Sequence, residues 1–151
     1  TEYLASLAEL FRSTIDAPDI WSLGEEYNML EKYLKVQNVR LGGKLSYELI
    51  IVDRCKNFKV PSLLLQPVVE NAVIHGISRS PNPGFVRVEC ESSGGYVVLS
   101  VQDNGVGSRD LKKGIGLNLV EERVKLFSPG SHLSIVSDLE SGTTVKIYLK
   151  I

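Results

Sequence analysis

Strand-like segments in the second half of the chain come in pairs, each joined by a glycine-containing turn. Gly94-Gly95 and Ser141-Gly142 are the two turns. Alternation of apolar and polar residues with a period of two predicts half-buried strands, and such strands on either side of a short glycine turn predict a hairpin. With a single strand earlier in the chain, five strands are predicted: 45–51, 86–91, 97–101, 133–135 and 145–151. Strands that follow one another directly do not suit a doubly wound fold.

Helical patterns occupy the first third of the chain, and two more lie in the mixed remainder. Residues 3–15 have apolar positions at helical spacing, and the capping-box pair Ser22 and Glu25 starts a longer helix that Gly42-Gly43 ends. A second long helix is predicted from Pro61 to about Ile77, and a third from about Leu117 to Phe127. Helices and strands are therefore segregated, which favours an α+β fold in which three helices cover a sheet, preceded by a helical segment.

Composition excludes several classes of protein. The chain has 17 Lys and Arg against 18 Asp and Glu, a formal net charge of −1, which argues against a nucleic-acid or anionic-lipid surface. Cys55 and Cys90 are too few for a disulfide framework or a zinc knuckle and are interpreted as reduced thiols in the cytosol. No apolar run approaches the roughly 18 residues of a membrane span. Because it starts at Thr1 and contains Met29 alone, the chain is expected to be part of a longer protein.

Asp103 is the most informative single residue. It shares the parity of Val97, Leu99 and Val101, so its carboxylate is expected to point toward the core and to need donors nearby. The glycines in the following Asn104-Gly105-Val106-Gly107 would let a ligand approach the backbone closely. By itself, the pattern favours a tight turn capped by its own Asp, which is common in hairpins.

Glycines also precede the last predicted helix, in Gly114-Ile115-Gly116-Leu117. Free amides at a helix N-terminus, with close access to the backbone, can bind phosphates. The alternative is a flexible loop before an ordinary helix. No Gly-Lys-Ser/Thr follows and no βαβ unit surrounds the segment, which excludes a Walker loop and a dinucleotide fingerprint.

The third element is the helix that contains Glu70-Asn71. On a regular helix Pro67, Asn71 and His75 would lie on one stripe. The Asn71 amide oxygen would suit Mg²⁺, which keeps most of its waters and phosphate oxygens. His75 could contact a ligand, although a lone histidine near a helix end is more often a cap or a surface group.

In this order, the three segments resemble the N, G1 and G2 boxes of the GHKL ATPase superfamily, which includes gyrase, the ninety-kilodalton heat-shock chaperones, histidine kinases and mismatch-repair ATPases. Within it, the chain is most similar to LytS-type sensor histidine kinases over roughly residue 22 to the end. Further segments carry this similarity: 23–26, 33–37, Arg40, 61–67, 75–76, 122–123 and 142–144. The resemblance implies the Bergerat fold, a two-layer α/β sandwich with a mixed sheet.

The resemblance also implies roles for the adenine end of a nucleotide site. Asp103 would accept a hydrogen bond from the adenine amino group, and Thr143 would support it. Gly105 and Gly107 would let the base lie against the backbone, and His75 is placed among the nucleotide-binding residues.

At the phosphate end, the resemblance implies that Asn71 holds Mg²⁺ and that Glu70 is a candidate general base through its adjacency to Asn71. Phosphates would be held by Gly114, Ile115, Gly116 and Leu117. Residues 108–113 would form a short ATP lid, in which Lys113 or its neighbour Lys112 could meet phosphate charge.

The implied function is that of a protein-histidine kinase. Residues 22–151 would be its ATP-binding catalytic domain, and residues 1–21 would end a dimerisation and phosphoacceptor region. The domain would transfer the γ-phosphoryl group of Mg-ATP to a histidine upstream, because His75 and His132 both lack the phosphoacceptor context. The alternative is a nucleotide-sensing or scaffold module without phosphotransfer; the similarity of residues 22–40 disfavours a serine kinase or ATPase.

The same resemblance implies the partners. These are ATP or ADP, the upstream dimerisation helices and a cognate response regulator, with no nucleic acid. The parent is expected to be a membrane-anchored homodimer, with this domain in the bacterial cytoplasm.

Overall fold

A computed structural model describes residues 2–108 and 115–151. Within them the helices are α1 (Glu2–Ile15), α2 (Leu23–Arg40), α3 (Gln66–Asn71) and α4 (Ile115–Phe127), and a π-helical turn, Ala72–Ile77, continues α3. The strands are β1 (Ile20–Ser22), β2 (Leu45–Ile51), β3 (Lys59–Pro61), β4 (Gly84–Ser93), β5 (Tyr96–Asp103), β6 (His132–Asp138) and β7 (Gly142–Lys150). A short 3₁₀ turn, Asp53–Cys55, follows β2.

Five strands form one mixed sheet in the order β2-β4-β5-β7-β6. β2 runs parallel to β4, and the other neighbours are antiparallel. The predicted α+β class, the five strands and both hairpins are confirmed. The core lies between this sheet and α2, α3 and α4, and residues that are 2% exposed or less, such as Val88, Leu99 and Ile147, cover the inner face. The outer face is polar at Arg87, which makes two hydrogen bonds to Glu48.

The two ends of α2 are set by nearby residues, as predicted. The Ser22 hydroxyl accepts a hydrogen bond from the Glu25 amide at 3.2 Å, and the Glu25 carboxylate accepts one from the Ser22 amide at 3.0 Å. Gly42 and Gly43 end the helix with φ of 68° and 82°, which glycine adopts without strain. Both cysteines are buried and unbridged. In the described part of the chain, no helix is long and apolar enough to cross a membrane.

The expectation that Pro61 opens a long helix is wrong. Pro61 ends β3, which pairs with β1 as a separate two-stranded ribbon. Helix α3 starts only at Gln66, because Leu63 has a φ of 62° and breaks any helical path between the two. Pro67, rather than Pro61, lies in the first turn of the helix, where its missing amide costs no hydrogen bond.

Candidate functional site

A cleft of about 440 Å³ opens between the α3 segment and the ends of β5 and β7. That volume is in the range of small-molecule sites. Six of the predicted site residues line it: Asn71, His75, Asp103, Gly107, Leu117 and Thr143. The rest of the described wall is largely apolar, with Val68, Ala72, Val101, Val106, Ile135 and Val145, and it also includes Gly76, Arg79 and Ser108. The cleft thus brings side chains from all three sequence segments to one place.

Asp103 lies at the end of β5, opposite Thr143 of β7. It is 7% exposed, and its Oδ1 accepts a hydrogen bond from the Gly105 amide at 2.8 Å. Burial raises the pKa of Asp103, and hydrogen bonds from the amides of Gly105 and Thr143 partly offset that rise. The predicted donors are therefore present, and the carboxylate is both the cap of its own turn and part of the cleft wall.

Two glycines bring the helix and the β5 loop into direct backbone contact. A Cβ on Gly105 would overlap the backbone of Gly76, and a Cβ on Gly76 would lie 2.8 Å from the Asp103 Oδ1. The Val106 amide donates to the Gly76 carbonyl at 3.2 Å, which holds the two segments together. Gly105 is buried behind Asp103 and does not line the cleft in the described residues. Gly76 was not predicted, because nothing in the sequence reveals which backbone it meets.

Gly107 is constrained in a different way. Its φ is 62°, and a Cβ there would overlap the carbonyl oxygen of Asp138 in the β6–β7 hairpin. Unlike Gly105, it lines the cleft. The loop after β5 is therefore held between α3 on one side and the last hairpin on the other.

The α3 segment changes its helical period where it borders the cleft. Asn71 is the last α-helical residue, and a π-helical turn that includes His75 follows it, in which the Ser78 amide donates to the Val73 carbonyl at 2.8 Å. Such turns inside helices often occur at functional sites. Asn71 and His75 both face the cleft despite the altered period, and so does Arg79, an exposed residue that the sequence did not single out.

Glu70 lies apart from these residues. Its carboxylate accepts a hydrogen bond from Gln66 at 3.3 Å and is not among the groups that line the cleft. Burial, and secondarily the charge of Glu70, raises the pKa of Tyr33 on α2. Glu70 therefore does not join the residues that line the cleft, and its role as a base stays a prediction.

The second glycine segment is described only in part. Lys112, Lys113 and Gly114 lie outside the described residues, and Ile115 begins α4. Among the described residues no atom lies within 4 Å of the position that a Cβ on Gly116 would take, and Leu117 lines the cleft. The described residues therefore leave space at the Cβ position of Gly116, and amides without intrahelical partners at the start of a helix can meet an anion.

Two family models match the chain. Residues 61–151 match the family described as histidine kinase-, DNA gyrase B-, and HSP90-like ATPase, and residues 1–45 match the family described as histidine kinase.

Curated relatives agree with these matches. The sensor histidine kinase YesM of Bacillus subtilis is 33% identical over 97% of this chain and 27% of its own length. The sensor histidine kinase BtsS of Escherichia coli is 26% identical over 95% of this chain and 26% of its own length, and the sensor protein LytS of Staphylococcus epidermidis is 28% identical over 94% and 27%. The chain thus spans about a quarter of the length of these three relatives.

Solved structures share the fold. The histidine kinase domain of an Erythrobacter litoralis blue-light activated kinase has a TM-score of 0.63 at 20% identity, covering 98% of this chain and 72% of that one. The catalytic domain of histidine kinase ThkA has a TM-score of 0.64 at 14% identity, covering 87% and 95%. With its sheet, cleft and family matches taken together, the chain belongs to the histidine kinase-, DNA gyrase B- and HSP90-like ATPase family.

Proposed function

We propose that this chain binds Mg-ATP and, within a longer two-component sensor kinase, transfers the γ-phosphoryl group to a histidine outside residues 1–151. The observation that carries this proposal is the buried Asp103 carboxylate, which lines the same cleft as Asn71 in a chain of an ATPase family. The lone pair of one imidazole nitrogen would form a bond to the γ-phosphorus as the bond from phosphorus to the ADP oxygen breaks, and the proton on the other ring nitrogen would pass to a base.

Adenine recognition rests on Asp103. A carboxylate only accepts hydrogen bonds, so it suits the adenine amino group and opposes the carbonyl that guanine has at that position. The apolar wall formed by Val101, Ile135 and Val145 would bury the faces of the ring. Thr143 lies beside Asp103, and its hydroxyl is 2.7 Å from the Ser137 hydroxyl, a contact that fixes its orientation.

Phosphate binding rests on Asn71, the first turn of α4 and the metal. The Asn71 amide oxygen suits Mg²⁺, which prefers oxygen ligands and shares them with phosphates. When bound, the metal would neutralise charge that develops during transfer. Gly116 and Leu117 would offer amides to the phosphates.

We also propose the domain organisation that the sequence predicts. Residues 22–151 would form the catalytic domain, and α1 would belong to a dimerisation region, since Leu4, Phe11 and Ile15 are exposed on it. The whole protein would be a membrane-anchored homodimer that phosphorylates a response regulator.

Calorimetric titration with ATP tests the binding step. We expect binding with Mg²⁺, weaker binding when a chelator removes it, and weaker binding of GTP. Absence of ATP binding would contradict the proposal. ATP binding without transfer to the histidine-containing segment of the whole protein would favour the nucleotide-sensing alternative.

A further inference from the structure

Glu26 is a fully buried carboxylate outside the cleft. It lies on α2 at 0% exposure, and its Oε1 accepts a hydrogen bond from the Trp21 indole at 2.7 Å. Its Oε2 accepts one from the Leu65 amide at 3.0 Å. Burial raises the pKa of Glu26, and hydrogen bonds from Trp21 and from the amides of residues 63–65 partly offset that rise. Burial of a carboxylate costs free energy unless the carboxylate is hydrogen-bonded. The contact between Glu26 and the segment that contains Leu65 therefore needs an explanation.

The segment Ser62–Leu65, here named the entry turn, leads directly into α3. Leu63 has a φ of 62°, a conformation that non-glycine residues rarely adopt and that persists only where the surroundings enforce it. Successive amides that converge on one anion make a nest. Glu26 is the anion at this turn, where its Oε2 accepts the Leu65 amide.

Arg123 of α4 contacts the other side of the same turn. Its Nη2 donates to the Ser62 carbonyl at 2.9 Å, and its Nη1 donates to the Leu63 carbonyl at 3.4 Å. The amides of the turn therefore bind α2, and its carbonyls bind α4. A planar guanidinium can serve two carbonyls at once, whereas an ammonium cannot reproduce that fork.

Two elements that the entry turn contacts, α3 and α4, both contribute residues to the nucleotide cleft. The α-helical part of α3 has six residues and ends at Asn71, and α4 contributes Leu117 to the cleft. Asp103 lies on β5, where it pairs with Val86 of β4 and Thr143 of β7. Neither Glu26 nor Arg123 lines the cleft, so each would act through the turn.

We propose that Glu26 and Arg123 are positioning residues that fix the entry turn and thereby set Asn71 against the first turn of α4. This inference rests on the proposed function. It predicts that the pair supports binding of the phosphates and leaves recognition of the base unchanged.

The test is the affinity of the Arg123→Lys and Glu26→Gln chains for Mg-ATP and for adenosine. Arg123→Lys breaks the fork. Glu26→Gln replaces one of the two acceptor oxygens with an amino group, so that either the Trp21 indole or the Leu65 amide faces a donor. We expect ATP affinity to fall about 2- to 30-fold, the range for residues that couple through a packed network, and adenosine affinity to stay unchanged. A purely structural role would lower both affinities together or neither.

Two control variants carry the same types of substitution at residues that do not contact the entry turn. Arg87→Lys makes the same substitution at a guanidinium that is bonded to Glu48 on the outer sheet face. Glu25→Gln changes the neighbour of Glu26 and retains a residue type that suits the capping box. Both controls should bind ATP like the wild type. Trp21 is the only tryptophan, so unchanged emission in Arg123→Lys shows that the Glu26 contact is intact.

Three outcomes are decisive. Equal losses of ATP and adenosine affinity, or unchanged ATP affinity in Arg123→Lys, would overturn the inference while leaving the proposed function standing. A wild-type chain that binds neither ligand would overturn both. If Glu26→Gln fails to fold, Arg123→Lys decides alone.

Discussion

At the scale of single residues, Asp103 has a charge state that suits ligand binding but lowers the stability of the fold. Burial raises its pKa, so the folded chain holds the Asp103 proton more tightly than the unfolded chain does. The contribution of this group to stability is then full below the unfolded pKa and is lost as the pH rises through the folded pKa. Once ionised, the buried Asp103 carboxylate destabilises the fold relative to its protonated form, which is understandable if ligand binding requires an acceptor there.

Asp103→Asn should weaken ATP binding more than it weakens the fold. The amide places a donor against the adenine amino group, and a mismatched buried polar pair costs about 1–3 kcal/mol, roughly tenfold or more in affinity. Discrimination against GTP should also decline. Titration of both nucleotides, with thermal melts from acid to neutral pH, measures both effects. An unchanged ATP affinity would leave Asp103 as a turn cap only.

Gly105 and Gly116 should respond in opposite ways to the same substitution. Gly105→Ala forces a Cβ into the Gly76 backbone, which cannot rotate away, and overpacking of this kind costs about 1–3 kcal/mol. Gly116→Ala meets open space among the described residues, and it should raise stability by about 0.4–1 kcal/mol by restricting the unfolded chain. Denaturant unfolding of both variants compares them. Equal stabilities would mean that the contact between Gly105 and Gly76 is looser than the structure shows.

At the scale of elements, predictability follows the range of the interactions that define each element. The capping box and Gly42-Gly43 set the ends of α2 by contacts within a few residues, so the sequence predicts them. The β1–β3 ribbon was missed because three-residue strands carry no periodic signal and because its partners, such as Trp21 and Val60, are far apart in sequence.

The same difference between local and long-range interactions decides which residues of the candidate site the sequence predicts. Asp103 could be found because its parity in β5 is a local pattern. Gly76 and Arg79 could not, because their place in the cleft depends on how α3 meets the β5 loop. The start of α3 was misplaced because the left-handed Leu63 lies in a turn whose contacts, to Glu26 and Arg123, come from two other helices.

The N-terminus of α2 offers a prediction at this scale. Ser22→Ala removes the acceptor of the Glu25 amide and should lower the free energy of unfolding by about 0.5–2 kcal/mol. ATP affinity should not change, because neither Ser22 nor Glu25 lines the cleft. Urea unfolding and ATP titration measure the two quantities, with Ser46→Ala on the exposed side of β2 as the control. A loss of affinity in Ser22→Ala alone would show that the cap communicates with the site.

At the scale of the whole molecule, the two histidines lie in places that suit neither for accepting the phosphoryl group. His132 has the opposite parity to Ile135, which lines the cleft, so its ring lies on the other face of the sheet, stacked on Tyr148 at 4.5 Å. His75 lines the cleft but is adjacent to Gly76, which packs against Asp103. It therefore lies at the end proposed for adenine, away from the phosphates.

The chain should consequently bind ATP without labelling itself. Incubation with γ-labelled ATP and Mg²⁺ should leave the polypeptide unlabelled, because no imidazole is placed for attack in line with the leaving ADP. Adding the histidine-containing segment of the whole protein should produce an acid-labile label on that segment and none on this chain. A chain carrying both His75→Gln and His132→Gln is the control, and it should still transfer phosphate to that segment, at a rate reduced by whatever His75 contributes to nucleotide binding. An acid-labile label on the wild-type chain that this control abolishes would contradict the assignment of the acceptor to another part of the protein.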